Sequence, residues 1–187
     1  NSKLEAGIRV GYRRNSSNND NFLQNLAGNY EYIDALHVKF KYEDIVYAAY
    51  ATYSLQVKKF SFITGLRAER SDYDAVLITG NRQFSNNYPV SLFPSLSISQ
   101  KPGKRSEIQL NYSRKVNRPS YNQLIPFIDF SDSLNLIAGN PGLKPEFTNL
   151  LEFSYHLEFN SSTSILANLY GRYTDKMITR YLYKGIN

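Results

Sequence analysis

The chain has 187 residues, a formal net charge of +6 and a pI near 9.4, with no cysteine or tryptophan but sixteen tyrosines and eleven phenylalanines. Without cysteine there is no disulfide framework and no thiol chemistry, and no apolar run approaches the ~20 residues that a membrane-spanning helix requires. The basic residues are scattered instead of forming the stripe that nucleic acid demands, so no nucleic-acid partner is expected.

Read with a period of two, the chain resolves into seven segments. The first, Lys3 to Arg13, alternates Leu4, Ala6, Ile8, Val10 and Tyr12 with Lys3, Glu5, Gly7, Arg9, Gly11 and Arg13. Asp44 to Val57 carries a continuous face of Ile45, Tyr47, Ala49, Ala51, Tyr53, Leu55 and Val57. Phe60 to Glu69 sets Phe60, Phe62, Leu66 and Ala68 against Ser61, Gly65, Arg67 and Glu69. In Ser91 to Ser99, Leu92, Leu96 and Ile98 oppose four serines; Phe93 falls on the polar side, and Pro94 sits mid-segment where it cannot donate to a ladder. Glu107 to Lys115 alternates Ile108, Leu110 and Tyr112 with polar residues. Phe147 to Phe159 is the purest, with Leu151, Phe153, Tyr155, Leu157 and Phe159 against Glu152, Ser154, His156 and Glu158. Ser164 to Thr174 presents Ile165, Ala167, Leu169 and Tyr173. We therefore expect an all-β antiparallel meander of about seven long strands.

Most of these segments reach about ten residues, the length that crosses a bilayer when tilted, whereas ordinary strands average about five or six. A mean hydropathy of −0.45 is no objection, because a wide barrel shows lipid only one face of each strand. Long and short connections are expected to alternate. Lys58 and Lys59, the turn at Lys101 to Gly103, and Asn160 to Thr163 are short, while the stretches centred near Asn25, Asn81 and Asn135 are long. In outer-membrane barrels the short turns are periplasmic and the long excursions extracellular. Tyr12, Tyr47, Phe60, Phe62, Tyr112, Phe159 and Tyr173 lie near strand ends, as an interfacial aromatic girdle would. Single-chain bacterial barrels have even strand numbers, and the chain begins at Asn1 with no initiator methionine or signal peptide. A segment of a larger transmembrane β-barrel is the expectation.

The stretch 111–152 narrows the choice. It contains Asn111, Tyr112, Ser113, Arg114, then Asn117, Arg118 and Pro119, later Gly139, Asn140, Pro141, Leu143, Lys144, Pro145 and Glu146, and finally Glu152 in the next strand. This resembles the TonB-dependent receptors, specifically the outer-membrane β-barrel family of Bacteroidetes-type receptors. The resemblance implies a bacterial outer-membrane location and a 22-stranded barrel around an N-terminal plug. It also implies nutrient binding at the outer face and import when the TonB complex pulls on the plug. Residues 1–187 would be a partial barrel domain, lacking that plug and the remaining strands. Its partners would be membrane lipid and lipopolysaccharide, its own plug, the TonB complex and a nutrient. Two other readings stay open: a small self-contained outer-membrane barrel with a structural or adhesive role, and a soluble ligand-binding β-barrel.

Little in the chain points to catalysis. His37 and His156 are the only histidines and have no second ligand at metal spacing, and no Gly-x-Ser-x-Gly elbow occurs. No enzyme, metal or cofactor is expected. The pairs Asp72 and Asp74, and Asp129 and Asp132, are read as solvated loop carboxylates, and Asn15, Asn18, Asn19 and Asn21 as a polar flexible loop. Arg14, Arg82 and Lys184 are candidates to meet lipopolysaccharide phosphates. For substrate contact the expectation falls on the 117–146 excursion, through Arg118, Tyr121, Phe127 and Phe130.

Overall fold

A computed structural model of the chain describes residues 1–79, 81–125, 128–129 and 136–182. In chain order the strands are β1 (Ser2–Asn19), β2 (Phe22–Gln24), β3 (Tyr30–Tyr32), β4 (Val38–Val57), β5 (Phe60–Leu77), β6 (Arg82–Gln100), β7 (Ser106–Asn117), β8 (Ile128–Asp129), β9 (Ile137–Ala138), β10 (Glu146–Asn160) and β11 (Thr163–Asp175). A one-turn helix α1 (Tyr121–Leu124) and a 3-10 turn (Asp34–Leu36) complete the set. The seven long strands form one sheet in the order β1-β4-β5-β6-β7-β10-β11, each antiparallel to its chain neighbour. Two short hairpins, β2 with β3 and β8 with β9, stand apart from it.

The register carries the expected apolar stripes into one surface. Leu4 lies opposite Tyr53, Ala6 opposite Ala51 and Ile8 opposite Ala49; Ala51 in turn faces Leu66, and Leu66 faces Pro94. Across the other half Leu96 meets Tyr112, Leu110 meets Phe153 and Phe153 meets Leu169. Among the described residues nothing covers this surface: Ile8 is 84% exposed, Leu169 73%, Leu151 51% and Phe153 42%. A sheet whose apolar side is bare and whose other side is polar has the inverse of a water-soluble packing, and hydrocarbon is the medium that satisfies it.

The long strands extend beyond the expected segments at one end. β4 runs 20 residues and β5 18, against the expected starts and stops at Asp44 and Glu69. At a rise of about 3.3 Å and a tilt of about 40°, a 20-residue strand stands roughly 50 Å high, about twice an apolar band of ~25 Å. The strict alternation of long and short connections fails for the same reason. The stretch expected as a long excursion around Asn81 is two continuing strands joined by a tight turn, in which the Asn81 N–H donates to the Ile78 carbonyl at 3.2 Å. The other two excursions are long, as expected, and the first holds the β2–β3 hairpin.

The extension obeys a reversed pattern. On β4 the apolar residues change from odd numbers (Ile45 to Leu55) to even ones (Phe40, Tyr42), and on β5 from even (Leu66, Ala68) to odd (Tyr73, Ala75, Leu77). Side chains alternate strictly along a strand, so a change of parity moves the apolar residues to the opposite side of the sheet. On β6 a bulge achieves the same: Glu69 faces Ser91 but Ser71 faces Tyr88, so β6 has one extra residue, and Tyr88 and Phe84 join Tyr73 and Ala75. The bare side of the extension bears Arg14, Lys39, Lys41, Glu43, Arg70, Asp72 and Asp74, with ion pairs Arg14–Glu43 at 3.0 Å and Arg70–Asp72 at 3.2 Å.

Pro94 and Phe93 find their places in this scheme. The β6–β7 ladder ends at Ser95 opposite Ser113, one residue before Pro94, so a residue without an N–H opens no gap in that ladder. Phe93, on the polar side, is 8% exposed and its ring stacks on Phe147 at 6.2 Å.

Changing Phe153 to arginine is expected to destabilise the vesicle-embedded barrel by about 2–4 kcal/mol, and changing Ser154 to arginine by less than about 1 kcal/mol. Denaturant unfolding from lipid vesicles measures both.

Candidate functional site: a capped mouth on the polar side of the sheet

Above the level of the phase reversal, the polar side of the sheet becomes an aromatic floor, and the two described feet of the 117–146 excursion, 118–125 and 139–146, are folded onto it. Phe40, Tyr42, Tyr73, Ala75 and Leu77 from β4 and β5 form one buried cluster with Leu124 and Ile125 of the excursion, and Phe40 is fully buried. Tyr121 lays its ring against Phe40 at 5.7 Å and Tyr42 at 5.8 Å. Val38, Phe84, Tyr88 and Leu143 close the margin. This cluster is the core that the membrane-level part of the sheet lacks.

Both feet of the excursion are tied down by polar contacts. Arg118, immediately after β7, donates through Nη2 to the Glu69 carboxylate and through Nε to Ser71 Oγ at 3.2 Å. Glu69 is 6% exposed and also meets Arg67. A buried carboxylate is tolerated only when paired, so the two guanidinium groups account for its position. Pro119 beside Arg118 is buried. In the turn that follows, the Ser120 N–H donates to Gln123 Oε1 at 2.8 Å.

The returning foot, 139–146, is held by backbone contacts. The Gly139 N–H donates to the Ile125 carbonyl at 2.9 Å and the Asn140 N–H to the Gln123 carbonyl at 2.7 Å. A side chain at Gly139 would meet the Ile125 carbonyl oxygen at 2.5 Å and the Gln123 carbonyl oxygen at 2.6 Å, so only glycine allows this approach. Asn140 Oδ1 accepts from the Gly142 N–H at 2.8 Å, shaping the Asn-Pro-Gly-Leu turn. Two phenols of the floor donate to that turn: Tyr73 to the Pro141 carbonyl, and Tyr88 to the Leu143 carbonyl at 2.8 Å. Burial pushes the Tyr88 phenol well above its ordinary value and keeps it a donor. Lys144 is exposed and Pro145 buried. Glu146 accepts from Asn117 Nδ2 at 2.7 Å and from the Ile178 N–H, and these donors hold its carboxyl below the ordinary range. Glu152 lies lower on the polar side, opposite Asn111.

The residues expected to contact substrate therefore divide. Arg118 and Tyr121 lie at the foot of the excursion, one paired with Glu69 and the other packed on the aromatic floor. Phe127 and Phe130 lie outside the described residues, as do Asp132 and Lys184. The partners that sequence reasoning missed are Tyr73, Tyr88, Phe40 and Tyr42, whose signal was alternation in the opposite phase beyond the expected strand ends. His37 Nδ1 lies 2.7 Å from Asp20, and His156 sits opposite Glu107. Among the described residues no three His, Asp or Glu side chains gather as an ion site.

A bare apolar side, a polar side capped at one end, and strands far longer than a soluble sheet needs define a transmembrane barrel arc. The outer membrane protein beta-barrel family matches residues 1–186, and the chain belongs to that family. It resides in the bacterial outer membrane. The ferric-catecholate import receptor Fiu of Escherichia coli K12, in its closed form, is similar in fold, with a TM-score of 0.61 at 13% identity over 90% of this chain and 28% of that one. The siderophore receptor PirA of Pseudomonas aeruginosa aligns with a TM-score of 0.39 at 13% identity, over 90% of this chain and 40% of that one. The chain thus spans less than half the length of either receptor. No curated protein matches the sequence.

Changing Gly139 to alanine is expected to cost about 1–3 kcal/mol through overpacking and to release the excursion, seen as faster proteolysis within 120–145. Changing Arg118 to methionine removes charged hydrogen bonds from Glu69 while Arg67 remains, and is expected to cost about 1.5–3 kcal/mol in the same assay. An Arg118→Met variant as protease-resistant as the parent would remove the ion pair from this account.

Proposed function

We propose that the chain is an arc of a TonB-dependent receptor barrel that binds a nutrient at its outer mouth and imports it, energised through a plug and the TonB complex. The observation that carries this reading is the built cap: an excursion folded onto the bore side, held by Arg118–Glu69, by Gly139 and by two tyrosines. Family membership and the fold shared with an import receptor support it. The tight turns at Lys58–Lys59, 101–105 and 161–162 then face the periplasm and the capped end faces outward.

In this reading Arg118, Tyr121, Phe127 and Phe130 form the substrate-contact set. Arg118 and Tyr121 also hold the foot of the excursion, so replacing either changes binding through position as well as through contact. The chain's apolar surface meets lipid, and Arg14 meets lipopolysaccharide phosphates, whereas Arg82, opposite Leu77 and over the Phe84 ring, lies on the bore side. A catalytic role has no place in this scheme.

Import driven in this way depends on the inner-membrane proton gradient. Cells that depend on the full receptor for a nutrient are expected to lose its uptake when a protonophore is added or TonB is deleted, while the protein remains in the outer membrane. Uptake unaffected by both treatments would rule out the energised mechanism and leave a passive or structural barrel.

A further inference from the structure

Three consecutive register rows on the bore side of β4, β5, β6 and β7 hold no charge. Thr52, Gly65, Ser95 and Ser113 share the first; Ser54, Ile63, Ser97 and Asn111 the second; Gln56, Ser61, Ser99 and Gln109 the third. All but Gly65 and Ile63 end in a hydroxyl or an amide, over a patch roughly 14 Å in each direction. Carried onto the flanking strands, the first two rows meet charge on both sides, at Lys3 and Glu5 on β1 and at Glu152 and Arg172 on β10 and β11. Arg67, Glu69 and Lys115 bound the patch above; Glu107 and the tight-turn cations Lys58, Lys59, Lys101, Lys104 and Arg105 bound it below. This is the composition of the wall itself and holds whatever closes or fills the barrel.

The patch lies directly beneath the anchored mouth. Arg118 binds Glu69 on β5, two rows above Gly65, and Tyr121 packs on Phe40 and Tyr42 of β4. Between mouth and patch is a hollow of about 240 Å³, bordered on the bore side by Tyr50, Thr52, Gly65, Arg67, Phe93 and Ser95. Gly65 is its floor, where a Cβ would crowd Ser95 Oγ at 2.7 Å. Hydrogen bonds to charged groups are roughly twice as strong as neutral ones, and a charge shut away from water must be paired. Whatever fills the bore therefore grips the charged flanks and rests lightly on the hydroxyls and amides, whose neutral bonds water replaces at little cost.

We infer that the β4–β7 sector is the side on which the bore opens: an aqueous corridor down which the ligand passes from the mouth, exchanging hydrogen bonds with the wall as it does with water, while the plug stays fastened to β1, β10 and β11. The inference rests on the import reading for the plug and for the direction of travel, but access to the wall is measured without either.

The full receptor, cysteine-free apart from one introduced thiol, is labelled in lipid nanodiscs with N-ethylmaleimide and with a short polyethylene-glycol maleimide, both uncharged. The ratio of the two rates cancels the reactivity of each thiol and reports the room beside it. Ser95→Cys and Ser97→Cys lie in the corridor; Ser154→Cys and Asn168→Cys lie on β10 and β11, at matched depths below the tops of the outward stripes at Leu92, Leu151 and Tyr173. The ratio of longer to shorter reagent is expected to be about tenfold higher at the first two sites, a difference of roughly 1.4 kcal/mol in the cost of access. Equal ratios, higher ratios at Ser154→Cys and Asn168→Cys, or exclusion of the longer reagent from all four sites would overturn the assignment. The expected pattern without gradient-dependent uptake would leave the corridor standing and remove only the import reading.

Discussion

Hydrocarbon offers no hydrogen-bond partner and no hydration, and the rest of this structure depends on where that medium begins and ends along each strand. Within it, backbone groups must pair with a neighbouring strand and the outward side chains must be apolar, which the seven long strands achieve in register. Beyond it, the outward side meets water and the inward side is roofed by the chain itself. The solvents change places, and the sequence changes phase to match them. Ile45 and Tyr47 face out below the boundary; Phe40 and Tyr42 face in above it.

The boundary also explains why the excursion is folded so firmly. A sheet edge lifted out of the membrane, with Phe40, Tyr42, Tyr73 and Leu77 on its inner side, would expose an aromatic surface to the water of the bore. The excursion covers it with Tyr121, Leu124, Ile125 and Leu143. Arg118, Asn140 and Gly139 set the backbone that makes this cover possible. On this view the Arg-Pro and Asn-Pro-x-Leu-Lys-Pro-Glu runs act as fasteners for the mouth of the barrel. Whatever the mouth binds, it binds against a rigid rim.

The membrane-level part of the fold was legible because a single phase of alternation suffices there. Each of the seven strands carries one such stripe, most clearly Leu4 to Tyr12 on β1, Ile45 to Val57 on β4 and Leu151 to Phe159 on β10, and their succession as a meander gives the strand order. The strands run past the expected limits at Asp44, Glu69 and Ser91 because those residues stand at the reversal, where a single phase of alternation gives no signal. On β1 the extension Asn15 to Asn19 is polar on both sides, so neither phase marks it as a strand, and the flexible loop expected there is instead the end of β1. The motif residues of the mouth were visible as a cluster in sequence, but their partners were not. Glu69 and Tyr73 lie more than forty residues from Arg118 and Pro141 and meet them only through the register of the sheet.

An accessibility scan of nitroxide side chains placed one at a time from Lys39 to Tyr53 of the full receptor in lipid vesicles tests the phase reversal most directly. Positions 45, 47, 49, 51 and 53 are predicted to favour membrane-dissolved oxygen; positions 39, 41 and 43 a water-soluble nickel complex; positions 40 and 42 neither. Oxygen-favoured odd positions continuing through 43 to 39 would contradict the account, because the apolar band would then have no upper boundary and the capped mouth would lie inside the membrane.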